Sequence, residues 1–563
     1  MSRAAWGPRL LLASLVAFLG AALAYPVALT VSEAFRSDAG GFTLHHVWSV
    51  FAEAPTRRGL LNATWIACAT TALATLIALP LAVVGARFRF AGKRVLSALL
   101  LLPLVLPPFV GAIGVRHILG RAGALNSAFG TDVDWLGLGG PFAIVAMEAI
   151  SLYPILYLNL VAALANVDPT LEEAAEAAGA GGWTRFRRVT LPLVRPGLFA
   201  GATIVFVWSF TELGTPLMFE YYDVTSVQVF NGIREVEASH RPYALVVVML
   251  LFSVGFYLLG KSTLGRAAAA SKGKASVARA ELPLTGLAQG GAIALFGGVA
   301  LVAAMPALAV VFASLSVPGQ WYGTLIPRSY TLDHYAQALS HPLAAGSIRN
   351  SLLLAGLAVL LAVTVGFAAA RLLVRSRLRG AWLLDALVML PLAVPGIVLA
   401  FGYVAVSLRW PFAGVLEIVG PEPNPFPFLI VAYAVRRLPY VVRSTAAGLE
   451  QTSVELEEAG RVAGAGAWRV QRRIVAPLIA ANLLAGAILA FSFSMLEVSD
   501  SLLLAQREAD YPITKAIYAL FERLGDGPGI ASAMGVWAMA LLALTLFAAS
   551  ALIGRRMGAL FRA

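Results

Sequence analysis

Long apolar segments recur along the chain, separated by short polar stretches. A helix that crosses a bilayer needs about 20 consecutive apolar residues, and twelve segments reach or approach that length. The predicted spans are Leu10–Val31, Leu60–Ala86, Leu96–Ile118, Phe142–Ala165, Leu193–Met218, Tyr243–Gly260, Leu287–Leu315, Ser351–Leu373, Leu383–Leu408, Phe426–Gly448, Ile474–Val498 and Ile530–Ile553. We therefore expect an all-α polytopic membrane protein with twelve transmembrane helices.

Composition agrees with a lipid environment. Of the 563 residues, 59% are hydrophobic and only 13% are charged, whereas soluble domains carry about 25% charged residues. The single cysteine, Cys68, excludes an intrachain disulfide and a thiolate metal cluster. The N-terminus has basic residues and an apolar run like a signal peptide. That run continues to Val31, however, so we expect a retained first helix.

Basic residues cluster in alternate loops, and this asymmetry predicts the orientation. Lys and Arg collect on the cytoplasmic side of a membrane protein. With twelve spans, the clusters share one side only if both termini are cytoplasmic, which predicts a multi-pass protein of the inner membrane. The clusters are Arg87, Arg89, Lys93 and Arg94; Lys272, Lys274 and Arg279; Arg371, Arg375, Arg377 and Arg379; and Arg555, Arg556 and Arg562.

The two halves of the chain resemble each other. "LPLVLPP" (102–108) recurs as "LPLAVPG" (390–396), and "LEEAAEAAGAGGW" (171–183) recurs as "LEEAGRVAGAGAW" (456–468). Both copies have the same orientation, so we predict two parallel six-helix repeats. The predicted divisions are a first helix and outer loop, 1–56; repeat 1, 57–262; a cytoplasmic linker, 263–286; a seventh helix and outer loop, 287–345; and repeat 2, 346–555.

The stretch "GFYLLGKS" (255–262) matches the GxxxxGK[ST] pattern of nucleotide-binding phosphate loops. That loop needs a preceding strand and backbone N–H groups turned toward the phosphates. Here the pattern falls at the inner end of the predicted sixth span, with no strand before it. We therefore expect no nucleotide binding by this chain, and any ATP hydrolysis must come from another chain.

Each half carries a short, capped, alanine-rich helix before a predicted span. Asp168 is a good N-cap, Pro169 suits the first helical position and Gly179 can end the helix in a left-handed turn. In the second half, Thr452 and Glu455 form a capping-box pattern. A solvated amphipathic loop is the simpler interpretation of one copy. Two copies at matching places favour docking onto a two-fold partner.

These segments resemble the EAA motif of type I ABC importer permeases. The first copy matches at Glu173, Ala174, Ala175, Gly179, Val189, Leu191 and Pro192, and the second at Glu458, Ala459, Gly464, Ile474 and Pro477. The second copy departs at Gly460, where alanine is usual, and at Ala476, where leucine is usual. Within the family the closest resemblance is to fused ferric-iron permeases, from "SFTELGTPLMF" (209–219) and "RRLPYVVRS" (436–444). Thiamine, polyamine, phosphonate and sugar-phosphate permeases share much of this pattern and stay as alternatives.

The resemblance implies a permease subunit that is not an enzyme and has no cofactor. Each EAA helix, including the adjacent Glu172 and Glu457, would sit on one of two ATPase subunits. Those partners would hold ATP and Mg²⁺ and transmit closure to the spanning helices, giving alternating access. A soluble substrate-binding protein would dock on the outer face. Lipid surrounds the chain, and no nucleic-acid partner is implied.

Ionisable residues inside predicted spans are candidates for the translocation path, because burying them in a membrane is costly. Aligning the halves on the EAA segment places Glu212 opposite Glu497, with Asp500 one turn beyond. Glu148 lies in the fourth span. We hypothesise that Glu212 and Glu497 flank the path, since carboxylates suit a hard cation such as Fe³⁺.

A structural role for these charges is the alternative. Glu497 or Glu148 would then pair with Arg437 in a buried ion pair. Arg436 and Arg437 also permit an anion path, which keeps a phosphate-bearing substrate possible. The six histidines fall in or near predicted outer loops, where exposed side chains are a simpler interpretation than a metal site.

Two other classes of protein are possible. A polytopic membrane enzyme would need a cluster of nucleophiles or metal ligands at one membrane face, and no such cluster recurs in the sequence. An ion-coupled carrier would leave the EAA helices unexplained. The importer interpretation accounts for the duplication and the EAA helices together.

Overall fold

The computed structural model describes residues 6–37, 40–136, 140–236, 239–263, 281–376, 378–523 and 525–553. Within these ranges the chain is mostly helical, as the apolar pattern predicts. Most of the predicted linker 263–286 lies outside the described residues. So do the basic positions Lys272, Lys274, Arg279, Arg377, Arg555, Arg556 and Arg562.

The first half contains fourteen described α-helices. They are α1 (Trp6–Leu19), α2 (Tyr25–Ala34), α3 (His45–Ala52), α4 (Ala54–Arg87), α5 (Lys93–Leu99), α6 (Pro108–Leu119), α7 (Ala124–Phe129), α8 (Gly140–Ala165), α9 (Pro169–Ala177), α10 (Gly182–Arg185), α11 (Leu191–Phe210), α12 (Gly214–Met218), α13 (Thr225–Gly232) and α14 (Arg241–Thr263).

The described part of the second half contains thirteen. They are α15 (Gly286–Leu315), α16 (Asp333–Ser340), α17 (Pro342–Arg375), α18 (Ala381–Ala393), α19 (Gly396–Ser407), α20 (Phe426–Glu450), α21 (Val454–Val462), α22 (Ala467–Val470), α23 (Ala476–Leu478), α24 (Ala480–Met495), α25 (Ser499–Leu504), α26 (Ile513–Phe521) and α27 (Gly527–Ile553).

Eight helices of the described chain are long and apolar enough to cross a membrane, and three bent helix pairs bring the number to eleven. The remaining predicted span, Phe426–Gly448, is helix α20, which has the length of a span but carries Arg436, Arg437 and Arg443. The structure therefore contains a helix at each of the twelve predicted places. The exact number that cross the membrane stays a prediction.

The third and ninth predicted spans are broken rather than straight. Leu96–Ile118 bends by 98° before α6, and Leu383–Leu408 bends by 108° between α18 and α19. Pro107 and Pro395 precede α6 and α19 with extended backbone, as residues next to a helix start do. Each of the two helices has 12 residues, about 18 Å at 1.5 Å per residue. Neither can cross a bilayer alone.

Contacts divide the chain into two compact units that do not follow the sequence halves. One unit combines described residues of 1–51, 229–247 and 335–560, and the other those of 52–228 and 248–334. In the first unit, α2 packs on α19, and in the second, α15 packs on α6. Each unit therefore includes the opening helix of the other sequence half.

Matched glycines allow both of these packings. A Cβ at Gly402 of α19 would lie 2.7 Å from the backbone carbonyl carbon of Pro26. A Cβ at Gly114 of α6 would lie 2.5 Å from the carbonyl oxygen of Pro306. No side chain fits at these distances, so each helix pair requires glycine at its crossing point.

One short feature departs from the all-α prediction. Strand β1 (Phe88–Arg89), which follows α4, pairs in parallel with strand β2 (Leu282–Pro283), which precedes α15. The Nζ of Lys93 lies 2.7 Å from a carboxylate oxygen of Glu281 beside this pair. Two residues per strand leave no periodic pattern in the sequence, so hydrophobic patterning could not have predicted the pairing.

The "GFYLLGKS" stretch lies within helix α14. Its backbone is helical and no strand directly precedes it in the described chain, which confirms the local structure that the sequence predicts. The N–H groups of an α-helix bond to carbonyls four residues earlier. They are therefore not turned into a cradle for phosphates.

Candidate functional site

The first EAA segment is helix α9 with its caps. The Asp168 side chain accepts a hydrogen bond of 3.0 Å from the backbone N–H of Thr170, and Pro169 is the first helical residue. Gly179 has a φ of +82°. The N–H of the following residue, Ala180, donates to the Ala175 carbonyl at 2.9 Å. This geometry confirms both the predicted N-cap and the predicted glycine stop.

The second EAA segment, helix α21, is capped in the same way, but its N-cap is not the predicted residue. Its N-cap is Ser453, whose hydroxyl accepts from the Glu455 N–H at 3.2 Å. The prediction of Thr452 as the cap was wrong, because the Thr452 hydroxyl donates back to the Gly448 carbonyl at the end of α20. Gly464 ends the segment with a φ of +81°.

One face of each EAA segment is exposed and partly apolar. Glu173 and Glu458 are exposed, as are the alanines that follow them, Ala174 and Ala459. Large apolar side chains are also exposed at matching places of the two copies: Leu171 and Leu456 are 48% and 46% exposed, and Trp183 and Trp468 are 72% and 75% exposed. The same exposed apolar positions recur in both copies, as a surface that docks the same kind of partner in each half would require.

The glutamates directly before Glu173 and Glu458 in the sequence lie on the buried side of each helix. Glu172 and Glu457 are buried, with 5% and 2% of each residue exposed. Sequence reasoning grouped them with the exposed positions, but a helical turn of about 100° per residue places adjacent side chains on different faces. The Glu172 carboxylate binds Arg87 at the end of α4, and that of Glu457 binds Arg375 at the end of α17.

Sequence reasoning used Arg87 and Arg375 only as markers of membrane orientation. The signal that could have singled them out was their position just after the predicted second span of each half, which ends at Ala86 or Leu373. Both arginines lie opposite an acidic pair in the repeated segment, in both halves. A match of opposite charges in both copies of a repeat indicates contact.

A π-helical turn follows each EAA segment. It covers Phe186–Thr190 in the first half and Gln471–Val475 in the second. In the first half the turn leads directly into α11, whereas in the second half α23 and a bend of 78° intervene before the rest of the span. π turns are rare and concentrate at functional sites, so their matching positions mark the junction between the EAA segment and the span.

In the first half, the candidate path residues are carboxylates held by neutral donors. The Glu212 carboxylate accepts from the backbone N–H groups of Gly214 and Thr215, at 3.1 and 3.3 Å, in the break between α11 and α12. Glu148, in α8, is buried and accepts hydrogen bonds from Ser209 and Thr70. Its other oxygen, Oε1, has no hydrogen-bond partner among the described residues.

In the second half, the equivalent region is an ion-pair network. Arg436 donates to Glu497 at 2.8 Å and to Asp500 at 3.2 Å, and Arg437 also donates to Glu497. Both carboxylates are buried. The pairing of Glu497 with Arg437, which sequence reasoning held as the structural alternative, is therefore present. Tyr433 occupies the place of Glu148 in the second copy, and its hydroxyl lies 2.6 Å from that of Ser501.

The histidines do not form a metal site in the described structure. No group of three metal-ligating side chains is close enough to hold an ion within the described residues. The expectation of exposed loop histidines was wrong for His46 and His334, which are buried. The His334 ring, at the start of α16, lies 2.9 Å from the Ser314 carbonyl of α15, a contact between two helices that the local sequence does not encode.

Comparisons with known proteins match both halves of the chain. The family described as binding-protein-dependent transport system inner membrane component matches residues 74–265 and again residues 362–559. A putative ferric transport system permease protein, FbpB 1 of Haemophilus influenzae, is 27% identical over 499 residues, which cover 85% of this chain and 74% of that protein.

Two further relatives widen this set. The ferric transport system permease protein FbpB of Actinobacillus pleuropneumoniae is 28% identical over 466 residues, covering 79% of this chain and 64% of that protein. The molybdenum transport system permease protein ModB of Escherichia coli is 34% identical over 165 residues, covering 28% of this chain and 71% of that protein.

The family matches the chain at two places, and each match includes one EAA segment and the span that follows it. Together the two matches cover more than half of the chain. The chain belongs to the family of binding-protein-dependent transport system inner membrane components, and it is an ABC importer permease whose two halves are fused in one polypeptide.

Proposed function

We propose that this permease imports ferric iron, driven by ATP hydrolysis on two separate ATPase subunits. The observation that carries the coupling part is the pair of exposed faces on helices α9 and α21. Each helix presents an exposed glutamate, Glu173 or Glu458, with an exposed alanine and leucine, and the short helix that follows, α10 or α22, exposes a tryptophan. A small-residue surface lets another protein approach closely, and exposed tryptophan and leucine supply apolar contact area.

The motor and the binding protein are separate chains in this proposal. ATP and Mg²⁺ bind the ATPase partners, which push on the EAA segments. Both termini and the EAA segments lie on the cytoplasmic side, because the basic loops flank the same helix ends. A soluble binding protein delivers the substrate to the opposite face, in keeping with the family description.

Ferric iron is the substrate favoured by the relatives that match over most of this chain. The two ferric permeases match over most of this chain, whereas the molybdenum permease matches only 28% of it. Carboxylates are suitable transient ligands for a hard trivalent cation. Glu148 and Glu212 carry such groups in the first half, where they accept hydrogen bonds from the Ser209 hydroxyl and from the Gly214 N–H.

The second half has a different role in this proposal. Because Arg436 and Arg437 neutralise Glu497 and Asp500, this network keeps the break between α24 and α25 in place rather than binding a cation. Thiamine, polyamine, phosphonate and sugar phosphate remain the alternative substrates for the same machinery. A phosphate-bearing substrate would require one of the two arginines to exchange its carboxylate for the phosphate.

The direct test is reconstitution of the permease with its ATPase and binding protein in liposomes. We expect ferric iron to stimulate ATP hydrolysis and to accumulate inside when ATP acts on the cytoplasmic face. Thiamine, spermidine, a phosphonate, a sugar phosphate and molybdate serve as comparison ligands. Stimulation by one of these and not by iron would contradict the assignment of ferric iron as the substrate. ATP-independent uptake would contradict the proposed ATP-driven mechanism.

A further inference from the structure

A partly buried arginine connects each EAA segment to the end of a long spanning helix. In the first half, Arg87 is the last residue of α4 and binds the Glu172 carboxylate through its Nη2. The same nitrogen donates to the Thr190 hydroxyl at 2.6 Å, and that hydroxyl donates to Glu172. The three side chains join α4, α9 and the π turn that leads into α11.

The second half repeats the arrangement with other partners. Arg375 is the last residue of α17, and its Nε donates to the Glu457 carboxylate at 3.0 Å. Its Nη2 donates to the Leu449 and Thr452 carbonyls, at 2.7 Å each. Arg375 therefore holds the EAA helix α21 together with the C-terminal end of α20.

We propose that Arg87 and Arg375 are positioning residues that transmit the movement of each EAA segment to α4 and α17. This inference rests on the proposed function, because it assumes that an ATPase moves the segments. A charge-assisted bond between buried partners has a fixed geometry, whereas exposed ion pairs exchange readily with water. The buried glutamate of each EAA helix therefore passes on to the arginine the force that the adjacent exposed glutamate receives.

Burial and repetition support a role beyond folding of a single loop. The Arg87 and Arg375 side chains are each 15% exposed, and those of Glu172 and Glu457 are 6% and 3% exposed. The EAA helices themselves are short, with nine residues each, and each packs on the π turn that follows it. A rigid connection is needed wherever a displacement is to be passed on without loss.

The two arginine–glutamate pairs differ in how many helices they join. Thr190 links the first pair to the start of α11, but its counterpart in the second half is Val475, which has no hydroxyl. Arg461 and Arg371 surround Glu457 instead, at 3.6 and 4.0 Å. The first half therefore transmits movement to both α4 and α11, and the second half to α17 and α20.

The experiment uses the full permease reconstituted with its ATPase and binding protein. Uptake and ATP hydrolysis are measured together for Arg87→Ala, Arg375→Ala and the wild type, with retention of the ATPase on the permease as a third readout. We expect uptake per ATP hydrolysed to fall by about two- to thirtyfold, the range for residues that carry coupling without touching either ligand. ATPase retention and ATP hydrolysis should persist.

Milder variants and matched controls keep the test informative. Arg87→Lys keeps the charge without the planar fork, and Thr190→Val installs the residue found in the second half. We expect both to lower uptake per ATP less than Arg87→Ala does. Arg89→Ala and Arg379→Ala change exposed arginines of the same loops and should leave the ratio at the wild-type value.

Two results would overturn the inference. One is an unchanged uptake-to-hydrolysis ratio in all of these variants. The other is a parallel loss of uptake, hydrolysis and ATPase retention, which would mean that the arginines only maintain the fold of the segment. If the wild-type complex itself shows no ATP-dependent uptake, the proposed function fails and not this inference, so the two failures are distinguishable.

Discussion

At the scale of residues, adjacent glutamates in the EAA segments have opposite environments. Glu173 and Glu458 are exposed, and Glu172 and Glu457 are buried against arginines. The sequence predicts the caps and the glycine stop, because they depend on residues within one turn. It does not predict the arginine contacts or the cap at Ser453. The former join distant positions, and the latter depends on where α20 ends.

The ion-pair network in the second half leads to a stability prediction. Arg436→Ala removes the group that bridges Glu497 and Asp500, which leaves the buried Asp500 without its arginine and Glu497 with Arg437 alone. We expect the free energy of unfolding in detergent to fall by about 3–5 kcal/mol, as for other broken buried pairs. The exposed Arg473→Ala should change it by no more than about 0.5 kcal/mol. Equal stability of the two variants would show that the network is not a structural one.

The two candidate path glutamates should respond differently to neutralisation. Glu212→Gln keeps an oxygen that can accept from Gly214 and Thr215, so we expect normal folding with reduced iron uptake. Glu497→Gln leaves Arg436 and Arg437 without their main counter-charge, so we expect lower thermal stability as well. Thermal unfolding and uptake of the two purified variants check this, and unchanged uptake in Glu212→Gln would remove it from the path.

At the scale of elements, the apolar pattern located helices at all predicted places but not their breaks. Pro107 and Pro395 lie at the two breaks, and the size of the bends depends on how α6 and α19 pack. Those helices are buried along most of their length, and they fit because Gly114 and Gly402 allow close backbone contact. Patterning predicts which residues are apolar, but not which neighbour covers them.

The glycine contacts can be tested with a single methyl group. Gly402→Ala places a Cβ 2.7 Å from the Pro26 backbone, which cannot move aside as a flexible side chain can. We expect a loss of about 1–3 kcal/mol in the free energy of unfolding, typical of overpacking. Gly297→Ala in α15 is the control, since no atom lies within 4 Å of the added carbon. Similar stability of the two variants would contradict the close crossing.

At the scale of the whole molecule, the repeat and the family were predictable, but the composition of the two units was not. Residues 171–183 and 456–468 carry the duplication plainly, and the match of the family to both halves agrees with it. The opening helix of each half packs on a helix of the other half, α2 on α19 and α15 on α6, and tertiary packing decides this arrangement. Sequence order favours contacts within a half, so only the structure reveals it.

We propose that the exposed glutamates of both EAA segments receive the movement of a separate ATPase. The most direct measurement is ATP-driven iron uptake by the reconstituted complex carrying Glu173→Lys and Glu458→Lys together. Glu450→Lys, an exposed change just outside the second segment, is the control. We expect loss of ATPase binding and of uptake in the double variant and normal uptake in the control. An intact complex that imports at the wild-type rate would contradict it.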